Sequence, residues 1–501
     1  MKLFAKDFSF GIASGLFTPA CSARPAGCSR RKLKSAAASL FAIISFCAAS
    51  QAQTFTLVYS FPTYARPGWY DRPLLLGQTL YAFGPGTHNR GSIFRVNTDG
   101  TGYTTIKDFP PTVSSGTSST NSDGADPMGG VIGSGDSLYG TCAFGGLYGF
   151  GTVYSLKTNG TGFTVLKHFA GAPDGKDPYC ELLMVGNVLY GTTAAGGSFG
   201  KGTVFQINPD GSGFNILKSF AGSDGMLPLG PLTWSDGVLY GTTLQGGASL
   251  SGTVFSLLTD GGGFATLKEF DGQQTGGPRY SLVVSGSWIY GTTEGGPSPS
   301  LVYQLSTDGT QFNVLKAFSP VDPVSYTNVD GSGTQSGLVG SGGTLFGSTR
   351  AGGSYASGVL FAMQMDGSGY TVLKHFSAMT NNGSGNYPNS DGAEPGRLSL
   401  AGSTLYGLTK YGGAAGVGTL LSLNIAPRIQ LLSPGAGAGA NGFSFDMIGF
   451  SNQVVSVQAS AKLAPPAWLP LATNTIGGSP LRFTDLDATN YPHRFYRLEA
   501  Q

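Results

Sequence analysis

A tetrad, Leu-Tyr-Gly-Thr, returns through this chain at a nearly fixed interval, and that return constrains the fold more than any other feature. It stands at Leu138–Thr141, Leu189–Thr192 and Leu239–Thr242, with variants at Ile289-Tyr290, Leu345-Phe346, Leu405-Tyr406 and Leu80-Tyr81. The aromatic residues fall at 81, 139, 190, 240, 290, 346 and 406, seven copies at a period near 50. A unit of that size cannot bury its apolar face alone and must stack on its neighbours.

Each copy reads as four strands. In the copy from 178 to 220, Tyr179–Val185 and Val188–Thr193 are the first two. A glycine-rich loop follows, then Thr203–Ile207, a Pro-Asp-Gly-Ser-Gly turn, and Phe214–Phe220. Asp-Gly and Asn-Gly pairs recur at the last turn (99, 159, 210, 260, 308 and 366) and supply the positive φ that tight hairpins need. Glycine is 81 of 501 residues and charged residues are only 11%. That composition excludes a coiled coil, a helical bundle and a charged disordered tail, and glycine lacks the three-residue period of collagen. Four short strands per period describe the blade of a β-propeller.

The ends of the array predict closure. A phenylalanine ends the fourth strand at 109, 169, 220, 270, 318 and 376, and the last copy stops after its third strand, Thr419–Asn424. The missing strand lies at the other end, Thr54–Phe61. Completing the last blade with it would remove the exposed edges of an open array.

The run Leu-Tyr-Gly-Thr-Thr, Gly-Gly, Gly-Thr-Val-Phe, Asp-Gly-(Ser/Thr)-Gly-Phe and Leu-Lys-x-Phe resembles the GloVer tandem repeat of secreted bacterial proteins, over about residues 54–424. The resemblance implies an extracellular propeller and brings no catalytic residues with it. The Gly-Gly loops are also kelch-like, without the aromatic pattern of kelch blades. Beyond Pro427 the repeat ends. A small β domain follows, and its Arg494-Phe495-Tyr496-Arg497 and Trp468-Leu469-Pro470-Leu471 are similar to C-terminal modules of secreted verrucomicrobial proteins.

Export is expected. Arg30, Arg31, Lys32 and Lys34 precede an apolar run, Ser35–Ala49, and Ser50-Gln51-Ala52 places small residues at a cleavage site. The run is shorter than the roughly 20 residues of a membrane span. Ser29–Leu33 also partly matches a twin-arginine signal. Cleavage after Ala52 removes seven of 29 basic and one of 27 acidic residues, leaving a net charge of −4. Nucleic acid is therefore a poor partner. The expected layout is a signal peptide at 1–52, a seven-bladed β-propeller of four-stranded blades at 53–426, a linker at 427–442 and a β-sandwich-like domain at 443–501.

Chemical motifs are sparse. Gly196–Gly200 matches G-x-S-x-G, but in a hairpin loop with no following helix. Gly437–Gly442 matches G-x-G-x-x-G inside the linker, again without a helix. The hairpin Asp-Gly turns offer one carboxylate each, too few for a calcium loop. No His/Cys spacing suits a metal, and no cofactor is expected. His168 and His375 share one variable repeat position, read as solvent-facing.

A second acidic series enters the first strands: Asp123-Gly-Ala-Asp126-Pro, Asp174-Gly-Lys-Asp177-Pro and Asp391-Gly-Ala-Glu394-Pro. It shares a face with the Gly-Gly loops, whose aromatics are Tyr148, Phe199, Tyr355 and Tyr411. Acids and aromatics together suit a glycan or a cation, and a repeated turn explains the same pattern. Arg72, Arg279 and Arg397 begin first strands in three copies and either converge on the channel mouth or are solvated or paired. Cys142 and Cys180 are either a disulfide or two buried thiols. The expected function is non-catalytic binding of a polysaccharide or protein by a monomer outside the cell, at its surface or in the periplasm. A glycan-acting hydrolase or lyase at the channel mouth is the alternative.

Overall fold

The computed structural model describes residues 54–62 and 71–425, apart from 85, 116–117, 273–275, 296–298, 335 and 384. It further describes 430–434, 443–448, 454–462, 467–475, 481–491 and 494–500. The expected signal peptide, the Gly437–Gly442 motif and His493 lie outside the described residues.

The protein is an all-β, propeller-like array of four-stranded antiparallel sheets. In the third sheet Leu183–Val185, Val188–Thr193, Thr203–Ile207 and Asn215–Ser219 pair in chain order. The same order holds for the first sheet (74–108), fourth (233–269), fifth (283–317) and sixth (338–375). In the second, Ala125–Pro127 and Ile132–Ser134 both pair with Ser137–Phe144. The seventh takes Ala393–Ala401, Thr404–Tyr411 and Thr419–Asn424 from one end of the chain and Thr54–Ser60 from the other. There Thr54 lies opposite Asn424 and Ser60 opposite Thr419. The first strand of the third sheet is shorter than its apolar run: only Leu183–Val185 pairs with the second strand, as in the first, fourth and fifth sheets.

The tetrad is a packing device. Leu189 is fully buried, and Tyr190 faces the core shared with the fourth sheet. Gly191 leaves room for the Phe205 ring, whose Cζ would lie 2.5 Å from any Cβ built there. Thr193 Oγ1 meets Thr203 Oγ1 at 2.8 Å and donates to Ala195 O at 3.0 Å, so its buried hydroxyl is satisfied.

Sheets join face to face through shared cores. Tyr139, Val153 and Phe169 of the second sheet pack with Leu182, Leu189 and Phe205 of the third. Phe346 and Leu360 of the sixth pack with Leu398, Leu405 and Leu421 of the seventh. The seventh in turn packs on the first, with Val58, Phe61, Tyr406 and Leu408 against Leu80, Ala82, Phe94 and Val96.

The Leu-Lys-x-Phe motif clamps these junctions. Lys218 pairs with Asp224, and its ammonium lies 4.1 Å from the ring centroid of Phe264 in the next sheet. Lys107 with Asp123 and Phe163, Lys167 with Asp174 and Phe214, and Lys316 with Asp330 and Tyr370 repeat the arrangement. Lys374 pairs with Asp391 and lies 4.6 Å from the ring of Phe55, on the N-terminal strand. Tyr59 occupies the lysine position of that strand and stacks on Tyr103 of the first sheet at 4.5 Å. The first acids of the Asp-Gly segments are thus parts of the framework.

Several expectations need correction. His168 and His375 are not simply solvent-facing. Their Nδ1 atoms accept from Leu147 N and Ser354 N at 3.2 Å, tying the fourth strand to the Gly-Gly loop. Ser60, Asp108, Ser219 and Glu269 accept from the matching loops. Of the two readings of Cys142 and Cys180, the structure has the buried free thiols and not the disulfide. The Cys180 thiol is engaged by Thr192 N and Thr192 O, at 3.0 and 3.3 Å. Within the expected linker, Gln430–Pro434 forms a strand against Phe443–Ile448.

The C-terminal residues form two three-stranded sheets around Phe443, Phe445, Met447, Val455, Val457, Phe483 and Tyr496. Asp485 takes the Tyr496 hydroxyl at 2.8 Å and pairs with Arg494 at 3.1 Å. Arg497 lies 4.8 Å from the Trp468 ring. These contacts account for the Arg-Phe-Tyr-Arg strand and its tryptophan. Among the described residues no helix is long and apolar enough to cross a membrane.

Candidate functional site

First strands carry the positions where the copies differ most. The residue just before the buried Leu182 is Glu181. Pairing registers put Arg72, Gly130, Pro231, Ser281, Gly337 and Arg397 at the corresponding place in the other sheets. The framework residues repeat while this column does not.

A cavity of about 470 Å³ opens beside part of this column, lined by its members Glu181, Pro231 and Arg397 and by neighbouring residues. Met128 of the second sheet's first-strand segment and Asp177, Tyr179 and Glu181 of the third's line one side. Leu227 and Leu229 line another, with Arg279 and Tyr280 from the fifth segment and Arg397 from the seventh. The size falls in the range of small-molecule and oligomer sites, and apolar walls with a few polar groups are the usual composition of such sites.

Two of the three arginines meet on one carboxylate. Arg72 donates to Glu181 Oε1, and Arg397 Nη2 lies 2.8 Å from Glu181 Oε2. Arg397 also donates to Gly129 O at 3.3 Å. Glu181 and Arg397 are both nearly fully buried. Burial works against the Arg397 charge, and the Glu181 carboxylate opposes that effect. Arg279 lies on the wall and pairs with Glu294 at 3.1 Å. The arginines are therefore paired, and the cavity is close to charge-balanced.

Asp71 and Glu181 escaped the sequence reading. Asp71 is wholly buried, with Oδ2 accepting from Phe83 N and Oδ1 lacking a hydrogen-bond partner among the described residues. Burial first, and then the nearby Glu181 carboxylate, push its pKa up to about 7. A charged residue in a strand segment otherwise apolar or small was the available signal for both. Among the described residues no group of three or more His, Cys, Asp or Glu is placed to hold a metal ion.

The remaining expected residues separate into two groups. Tyr148, Phe199 and Tyr355 are exposed at loop tips, each two residues past a Gly-Gly pair. Tyr411 is not a tip. It precedes its Gly-Gly pair, is half-buried, packs edge-on to Tyr387 at 5.4 Å and lies under the Lys410 ammonium. Asp126, Asp177 and Glu394 all adopt positive φ before a proline. They are spread over three sheets, and of these only Asp177 lines the cavity.

The fold and its site define an all-β repeat protein of propeller-like build, with a cavity lined in part by variable first-strand positions. Residues 110–301 match the Gloeobacter/Verrucomicrobia repeat, and this chain carries that repeat. No curated protein matches the chain. Among solved structures it is similar to an oligogalacturonate lyase from Vibrio parahaemolyticus, at 8% identity over 77% of this chain and 96% of that one, with a TM-score of 0.47. YCF48 from Cyanidioschyzon merolae is similar at 9% identity over 74% and 98%, with a TM-score of 0.45. TolB from Acinetobacter baumannii is similar at 14% identity over 60% and 63%, with a TM-score of 0.33.

Proposed function

We propose that this chain is an exported, non-catalytic binding protein that holds a polysaccharide segment in the cavity described above. The scaffold would be a seven-bladed propeller closed by Thr54–Ser60. The pairing of that strand with Thr419–Asn424 and the core shared by the seventh and first sheets support closure. The basic cluster and apolar run before Ala52 support export.

One observation carries the binding reading. Framework positions repeat from sheet to sheet, whereas the cavity wall is built from residues that break the repeat: Tyr179, Glu181, Arg279, Tyr280 and Arg397. Burying paired charges earns little stability compared with an apolar wall, so stability alone is a weak reason for them. Each arginine has a carboxylate partner, Glu181 for Arg72 and Arg397 and Glu294 for Arg279, which disfavours a polyanionic ligand. Polar groups set among tyrosines suit the mixed faces of a sugar ring.

The test is a glycan panel offered to the mature chain, read by both binding and product release. Binding without turnover, lost in Tyr280→Ala, is the expected result. Release of shortened products would replace this reading with that of an enzyme.

A further inference from the structure

Asp177 breaks a regular pattern. It, Asp126 and Glu394 occupy one repeat position, with φ of 58°, 55° and 51°. Each donates its backbone N–H to the same place on the preceding sheet's loop, at Phe150 O, Arg90 O and Ser357 O. Two of the three acids receive a cation from the chain. Asp126 meets Arg90 at 3.6 Å. Glu394 meets Arg350 at 3.5 Å and Lys410 at 3.2 Å.

The positions that furnish those cations are apolar around Asp177. Phe150 stands where Arg90 stands, Ala143 where Arg350 stands, and Ala194 where Lys410 stands. Among the described residues no ion pair reaches Asp177. The cation that acts on it is its chain neighbour Lys176, whose ammonium lies 5.7 Å from the Phe150 ring centroid. Asp177 is half-buried on the cavity wall, beside Tyr179, Ala194 and Leu227. Burial raises its pKa, as it does that of Asp126, so the difference between the two acids lies in the missing ion pair.

Building on the cavity as a glycan site, we propose that Asp177 is the counter-charge for a protonated amine on the ligand, which is therefore an oligosaccharide of amino sugars with free ammonium groups. An ammonium brings three donors and a full charge to a carboxylate with no other ion pair. Tyrosine faces in the same wall attract cations and cover the apolar face of a sugar ring. A sugar chain fits better than a basic peptide because exposed aromatic tips, Tyr148 and Phe199, stand on the loops of the second and third sheets. Those sheets also supply Met128 and Asp177 to the cavity.

The test titrates the mature chain calorimetrically with a glucosamine tetramer, its fully N-acetylated counterpart and a tetralysine peptide. The glucosamine tetramer is expected to bind at least tenfold more tightly than the acetylated one. Asp177→Asn should abolish that difference, since asparagine tolerates the left-handed backbone and keeps the shape. Phe150→Arg, which gives Asp177 the partner Asp126 has, should do the same with the melting temperature held within a few degrees. Equal binding of both tetramers, unchanged in Asp177→Asn but lost in Tyr280→Ala, overturns the amine and leaves the cavity reading standing. Tighter binding of tetralysine overturns the glycan class. Failure of every glycan to bind overturns the cavity reading and this inference with it.

Discussion

Phe61→Ala is the sharpest test of how the array ends. Phe61 sits at the far N-terminal end of the described chain, yet it is 1% exposed. Its ring lies 5.3 Å from Phe94 and 5.3 Å from Tyr59, and its N–H donates to Gly418 O at 3.2 Å. Phe220, in the middle of the array, is equally buried, lies 5.1 Å from Phe255 and donates to Gly202 O at 3.0 Å. If the N-terminal strand is a full member of the seventh sheet, the two truncations should cost the same. Emptying such a site costs about 3–5 kcal/mol. That is a large part of a domain stability of about 5–15 kcal/mol. The assay is urea unfolding of the mature chain and the two variants, followed by tryptophan fluorescence and circular dichroism together. Matching shifts of the midpoint are expected. A loss below about 1 kcal/mol for Phe61→Ala, beside a full loss for Phe220→Ala, would refute the reasoning, because a terminal segment that merely rests on the surface gives up little when trimmed.

Two further outcomes follow from titrating and reactive groups. His168 and His375 have pKa values lowered, chiefly by burial, and each accepts a loop N–H through Nδ1. Folding therefore favours their neutral form. The stability they contribute is complete above the unfolded value of about 6.5 and is lost as pH falls through the lower folded values. Melting temperature should drop from pH 7.5 to pH 5, and the drop should shrink in the double variant His168→Ser, His375→Ser, which installs the acceptor found at Ser219; an undiminished drop would show that other groups cause it. Burial also raises the pKa of both Cys142 and Cys180, so a thiol reagent should label neither in the native mature chain and both after unfolding without reductant; no labelling after unfolding would mean that they are bridged.

The framework was legible because its positions are copies of one another. Leu189, Tyr190, Gly191 and Phe220 each have counterparts in other units, so a period near 50 exposed them without any structure. Three strands of the third sheet lay close to where their apolar runs placed them, and the first was cut back to Leu183–Val185. The clamp of Lys218 was half legible. The lysine recurs in sequence and Asp224 follows it by six residues, but Phe264 comes from the next sheet, 46 positions on, and nothing local links it to the lysine. The acceptor role of Asp108, His168, Ser219 and Glu269 stayed hidden because it is met by four side-chain types, so the position looked merely variable. Glu181, Arg72 and Arg397 meet only once sheets far apart in sequence are brought together. Tyr411 was misplaced because it precedes its Gly-Gly pair, at the end of a strand, whereas the tip aromatics follow theirs by two residues.

Most junctions in this molecule connect one unit to the next along the chain, and these can form as soon as two successive units exist. The seventh sheet is different. It joins Ser60 to Thr419, 359 positions apart. At about 5–20 residues per second of synthesis, the N-terminal strand would wait roughly 20–70 seconds for its partner to be made. Over that interval Thr54–Ser60, an extended segment without charge, is a pairing hazard for any other nascent edge. Long-range pairing of this kind also makes for slow folding. The last step in assembly thus depends on a strand made early in synthesis, and the yield of folded protein should be governed by how well that short strand is kept apart until residue 424 has emerged.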